Sequence, residues 1–171
     1  DMTDGAPLGL VVMAYGTPRT PEQIEPYYTH IRRGRPPTPE QLAELGARYE
    51  AIGGTSPLTQ RTEAQRAALA AALDERMPGR WTVVLGQKHA APVIEDAVAE
   101  LADAGVGEAV GLVLAPHYSR SSVGEYQRRA SEAGARRGVR FHSVDQWHLV
   151  PAYLAFLAAA VRDARAGLPE R

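Results

Sequence analysis

Four short apolar runs rich in β-branched residues, Leu8 to Tyr15, Trp81 to Gly86, Glu108 to Ala115 and Val139 to Val144, are separated by stretches too long for hairpins. They read as buried strands. Three of the intervening segments, Thr62 to Met77, Val93 to Ala104 and Ser121 to Arg136, place apolar residues three and four apart, as amphipathic helices do. This alternation predicts an α/β fold: a doubly wound four-stranded parallel sheet, Rossmann-like, covered on both faces by helices through right-handed crossovers.

The first connection, Gly16 to Arg80, is far longer than a single helix needs. The pattern predicts three helices in it, roughly Pro21 to Arg33, Pro39 to Ala51 and Thr59 to Met77. Pro36, Pro37 and Pro39 separate the first two, and Gly53 with Gly54 stops the second. A last helix is expected from about Pro151 to Ala166. With 171 residues, the chain is expected to form a single domain spanning 1–171.

Composition narrows the function. The chain has no cysteine, which removes disulfides, thiolate zinc sites, iron–sulfur clusters and Cys nucleophiles from these residues. A formal net charge of −1 argues against a surface built for nucleic acid. No apolar run approaches a membrane span, and Asp1 to Pro7 lacks the parts of a signal peptide, so the expectation is a cytoplasmic protein without membrane insertion. The basic residues are 18 Arg and one Lys. The chain has no Walker loop and no GxGxxG after the first strand, so nucleotide, nicotinamide and flavin readings lose their support; no HExxH occurs and the five His lie far apart in sequence, which leaves a metal site open without pointing to one.

The residues just past each strand are more informative. In an open parallel sheet, ligands bind outside the carboxyl ends of the strands. Tyr15, His89, His117 and Tyr118 all fall at such ends and are candidates for one shared rim. A lone Tyr or His there is more often a packing or capping residue; four together shift the balance. The cluster His30-Ile31-Arg32-Arg33-Gly34-Arg35, with Arg48 and Tyr49 further on, offers planar guanidinium forks that match carboxylates. Folded over the rim, it would suit a flat polyanion; the plainer reading is a solvated helix end. Gly53-Gly54-Thr55-Ser56-Pro57 is a loop before a helix, where backbone N–H groups and the Ser56 hydroxyl could meet an anion.

The stretches LVVMAYGTP (Leu10 to Pro18), YYTHIRRGR (Tyr27 to Arg35), RYEAIGGTSPL (Arg48 to Leu58), KHAAPVIEDAV (Lys88 to Val98) and LAPHYSRSSVGEY (Leu114 to Tyr126) resemble, in order and spacing, the N-terminal half of bacterial ferrochelatases. The likeness is closest to the coproporphyrin ferrochelatases and runs from about Leu8 to Ala166. It implies a chelatase-like domain of an iron-inserting lyase of haem biosynthesis, acting on coproporphyrin III or protoporphyrin IX with Fe²⁺ as substrate and no cofactor in this chain.

Residue by residue, Tyr15 matches the tyrosine whose phenol oxygen faces the metal. Arg32, Arg48, Tyr49, Ser56 and Tyr126 match porphyrin contacts. A tyrosine at position 15 is typical of the coproporphyrin branch, whose four propionates also suit the surplus of Arg. The resemblance places the catalytic His and Glu in a C-terminal domain, and the chain ends before it. The expected partners are therefore the porphyrin, Fe²⁺ and that domain, with no catalytic residue and no further metal ligand here. Two alternatives stand beside this reading: a non-catalytic porphyrin- or haem-binding module, and a chelatase for a smaller ring acting as a dimer of single domains. The second fits less well, because such proteins lack the long Arg-bearing insert.

Overall fold

Residues 5–168 are described by a computed structural model. Four strands, β1 (Leu8–Ala14), β2 (Trp81–Gln87), β3 (Glu108–Val113) and β4 (Arg140–Val144), form one parallel sheet in the order β2-β1-β3-β4. β1 is buried along its whole length because it has a neighbour on each side, Leu8 pairing with both Trp81 and Glu108. This explains its continuous apolar run.

Between β1 and β2 lie a 3-10 turn (Pro21–Gln23), α1 (Ile24–Ile31), α2 (Pro39–Ala51) and α3 (Leu58–Arg76). The helices α4 (Ile94–Asp103), α5 (Val123–Ala135) and α6 (Pro151–Ala166) come after β2, β3 and β4. α2 begins where Thr38 and Gln41 form a reciprocal capping box, with Pro39 in the first turn. The expected helix from Pro21 to Arg33 is shorter than the sequence suggests. Its first three residues are 3-10, and it closes at Ile31 in a Schellman motif: Gly34 N–H donates to the Thr29 carbonyl at 2.9 Å and Arg33 N–H to that of His30 at 3.0 Å. β1 and β3 also end earlier than expected, at Ala14 and Val113, because Tyr15 and Leu114 begin the loops.

The two faces of the sheet differ. α4 packs on β2 and β1, α5 on β3 and β4, and the two helices pack on each other. Val11, Met13, Val84, Ile94, Val98, Leu101, Val113, Val123 and Ala130 form the core there. Gly111 lets α5 come close: a Cβ would lie 2.3 Å from Gln127 Oε1 and 3.1 Å from Met13 Cε. Gln127 Nε2 meanwhile donates to the carbonyls of Gly111 and Val144. The reversal of direction after β2 puts α3 on the opposite face, where it rests on β2 and buries only Thr62. α6 buries no residue; Phe156 and Val161 are 64% and 67% exposed. No helix of the described residues is long and apolar enough to cross a membrane.

Candidate functional site

The strand order opens a crevice beyond the carboxyl ends of β1 and β3, because the connections leaving those two strands run in opposite directions. Tyr15 is the first residue after β1 and stands at this crevice, 45% exposed although every residue of the strand before it is buried. The β1–β2 pairing continues past the strands. Lys88 N–H donates to the Ala14 carbonyl at 2.9 Å and His89 N–H to the Tyr15 carbonyl at 3.0 Å. Gly16 makes the junction possible: it sits at φ +87°, and a Cβ there would lie 2.9 Å from Ala90 Cβ and 3.0 Å from Ala90 N.

Several cavities meet around this corner, and three of them bear on the candidates. The largest, about 1010 Å³, is walled by Tyr15, His30, Arg33, Lys88, His89 and Glu125 among others. A second, about 310 Å³, shares Tyr15 and adds Thr17, Tyr27, Arg48, Tyr49 and Ser56. The third, about 560 Å³, shares Arg33 and Glu125 with the first and adds Tyr118, Arg120 and Arg128. Tyr15 thus joins the first two cavities, and Arg33 with Glu125 joins the first and the third.

The sequence-derived candidates separate on this map. Tyr15, Arg48, Tyr49 and Ser56 come together in the wall of the second cavity. Among the described residues Arg48 is paired only with Glu44 on its own helix, both side chains mostly exposed, a contact weak enough to exchange for a ligand carboxylate. Ser56 Oγ accepts from Leu58 N–H at 3.2 Å, which leaves its own proton free to donate outward. Tyr49 Oη is 3.2 Å from Thr17 Oγ1.

Tyr126 is buried, 4% exposed, with Lys88 Nζ 5.2 Å from its ring centroid. Arg32 turns toward its own helix end. Its Nε donates to the Arg35 carbonyl, and its guanidinium lies 5.5 Å from the Tyr28 ring centroid. It is Arg33, one residue on, that borders the cavities. Of the other rim candidates, His89 contacts Tyr15, with ring centroids 4.6 Å apart, and Tyr118 lines the third cavity. His117 instead stacks on His148 at 4.7 Å.

The electrostatics favour neutral groups beside Tyr15. Burial, and next the neighbouring Tyr49, push the Tyr15 phenol above its ordinary value. Burial likewise raises Tyr27 and Tyr126. His89 is lowered to about 4, first by burial and then by His30, whose Nδ1 lies 2.9 Å from His89 Nδ1. At neutral pH His89 is an uncharged imidazole, and one ring of the pair donates to the other.

Two ion pairs brace the floor. Lys88 Nζ bonds Glu125 at 2.8 Å. Arg129 grips both Glu95 oxygens at 2.8 and 2.7 Å and donates to the Lys88 carbonyl at 2.9 Å. The hydrogen bond from Arg129 holds the Glu95 carboxyl below the usual range, and Lys88 does the same to Glu125. Sequence reasoning missed the His30–His89 contact and these braces, which join residues far apart in the chain. The described residues contain no group of three or more His, Cys, Asp or Glu placed to hold a metal ion.

A family model for ferrochelatase matches residues 7–171. Over 164 residues the chain is 48% identical to the coproporphyrin III ferrochelatase of Oceanobacillus iheyensis, a match covering 95% of this chain and 53% of that protein. It is 48% identical over 165 residues to the coproporphyrin III ferrochelatase of Bacillus subtilis, covering 95% and 53%. With that of Staphylococcus aureus strain N315 it shares 44% over 164 residues, again covering 95% and 53%. The chain spans about half the length of the curated relatives it matches.

Proposed function

The chain belongs to the ferrochelatase family, and we propose that it supplies the porphyrin-gripping side of an enzyme that inserts Fe²⁺ into coproporphyrin III in haem biosynthesis. One observation carries this reading: an exposed phenol, two anion donors and an aromatic ring, namely Tyr15, Arg48, Ser56 and Tyr49, share the wall of one cavity at the carboxyl end of the central strand. A flat ring with carboxylates at its edge needs that set.

Metal insertion removes two pyrrole N–H protons and brings Fe²⁺ to one face of a stiff planar ring. A protein assists by holding the rim and favouring the bent geometry of the transition state. Arg48 and Ser56 bind propionate oxygens, with Tyr126 as a further porphyrin contact; Arg32, which the resemblance also assigns to the ring, would have to leave the Arg35 carbonyl and the Tyr28 ring to reach it. Each charged contact contributes about 1.5 to 3 kcal/mol when shielded and about 0.2 to 1 when exposed. They position the ring rather than react with it. The Tyr15 phenol stays protonated at neutral pH and offers an oxygen lone pair toward the metal from this side, as the axial contact. The groups that deliver iron and accept the protons are proposed to lie in the part of the relatives that this chain does not match.

Titrating the chain with coproporphyrin III while following the Soret band, then adding Fe²⁺ under anaerobic conditions, tests both halves of the reading. Measurable binding, reduced by Arg48→Ala, together with slow or absent metalation is expected. Efficient metalation by this chain alone would refute the division of labour; an unchanged Soret band would refute the grip.

A further inference from the structure

We propose that Arg33, Arg120 and Arg128 form a second carboxylate-binding subsite, apart from Arg48 and Ser56, which receives the propionates at the far edge of a four-carboxylate tetrapyrrole. The inference rests on the porphyrin reading and specifies how the site would distinguish ring substituents.

Its first support is backbone strain. Arg33 is the only non-glycine residue among those described with positive φ, +57°. It occupies the left-handed position of the Schellman motif that ends α1, where glycine is the usual occupant because a side chain there is unfavourable. A glycine stands next to it, at Gly34. An arginine held one residue too early for that relief is an outlier of the kind that clusters at ligand clamps. The same turn that strains Arg33 places it in the walls of two adjoining cavities.

The second support is the company it keeps. α1 brings Arg33 to the loop after β3 and the first turns of α5, which supply Arg120 and Arg128. Three guanidinium groups share the wall of a cavity of about 560 Å³ with a single carboxylate, Glu125, and that one is already held by Lys88. Neither Arg33 nor Arg120 has a carboxylate partner among the described residues, and Arg128 has only the exposed Glu132 on its own helix.

Excess positive charge around a concave wall favours an anion with more than one carboxylate, and the planar fork of Arg suits it. Tyr118, half exposed, adds an aromatic face. It reaches across Gly124, where a Cβ would lie 3.1 Å from its Oη. The three cavities adjoin in turn: the one walled by Arg48 and Ser56 shares Tyr15 with the largest, and the largest shares Arg33 and Glu125 with the one walled by Arg120 and Arg128, so the two anion-binding groups are linked through the cavity that Tyr15 borders.

The test compares coproporphyrin III, with four carboxylates, and mesoporphyrin IX, with two, by Soret titration of the chain. Replacing the three exposed side chains together (Arg33→Gln, Arg120→Gln, Arg128→Gln) is expected to weaken coproporphyrin III about tenfold and mesoporphyrin IX less than about twofold, at an unchanged melting temperature. Arg33→Gly separates ligand binding from structure. Relief of the left-handed strain should leave the melting temperature at or above that of the parent, while coproporphyrin III affinity falls about threefold. Equal losses for both porphyrins, or none, in a chain that binds coproporphyrin III would overturn the subsite and leave the proposed function standing. Failure of the unsubstituted chain to bind coproporphyrin III would remove both.

Discussion

The two faces of the sheet put the same kinds of residue to different uses. On the α4–α5 face, side chains from three strands and two helices interlock, and Val11, Met13, Ile94, Val98, Leu101, Val123 and Ala130 are essentially sealed. On the other, α3 rests on β2 and buries only Thr62, and α6, the last helix, buries nothing. Stability is therefore concentrated on one face, while the opposite layer and the rim are free to carry arginines, exposed tyrosines and open cavities. The packed face supplies rigidity under the rim, while the cavities open where packing stops.

The sharpest way to break this contrast is to shorten matched leucines. Leu101→Ala in α4 should cost about 2 to 5 kcal/mol, and Leu157→Ala in α6 less than about 0.5 kcal/mol; urea midpoints at constant m-value read both. Similar costs would mean that α6 is packed in solution. Gly111→Ala comes next. The added Cβ would displace the Gln127 amide, at about 1 to 3 kcal/mol, and the outcome would show as a lower melting temperature with retained far-ultraviolet dichroism.

Arg129→Met tests the brace between the packed face and the site. It should lower stability by about 1 to 3 kcal/mol near neutral pH, with less loss in acid. Glu95 has a depressed pKa in the folded chain, so its contribution is present above the carboxyl's unfolded value and disappears as pH falls through the folded one. The effect least visible at neutral pH belongs to His89→Gln. His89 titrates near 4 when folded against about 6.5 unfolded. The unfolded chain therefore takes up the proton first, and stability declines as pH drops from about 6.5 toward 4. The variant should flatten that limb of a melting-temperature profile, and an unchanged slope would contradict a desolvated imidazole.

Much of the packed face is legible in the sequence, because continuous apolar runs and three-and-four spacing report burial directly. The strands fall within two residues of expectation, and α4, α5 and α6 are where the pattern puts them. The rim is legible only in part. Tyr15 can be placed because it directly succeeds a buried strand in a parallel sheet. Arg32 and Arg33 cannot be told apart, since which of two neighbouring arginines meets the crevice depends on a left-handed turn that periodicity does not encode. His30 and His89 meet only because a helix of the first connection returns over the loop after β2, and no local signal predicts that encounter.

The position of β1 carries a consequence for how the chain matures. β1 precedes both of its partners in the chain yet is an inner strand of the sheet, and its registers are set against Trp81 on one edge and Glu108 on the other. Such distant pairings are slow to form. Tyr15 can be fixed in place only after more than half of this sequence has been translated, so a stall or early truncation would yield a polypeptide that holds every arginine of the insert and has no groove to put them in.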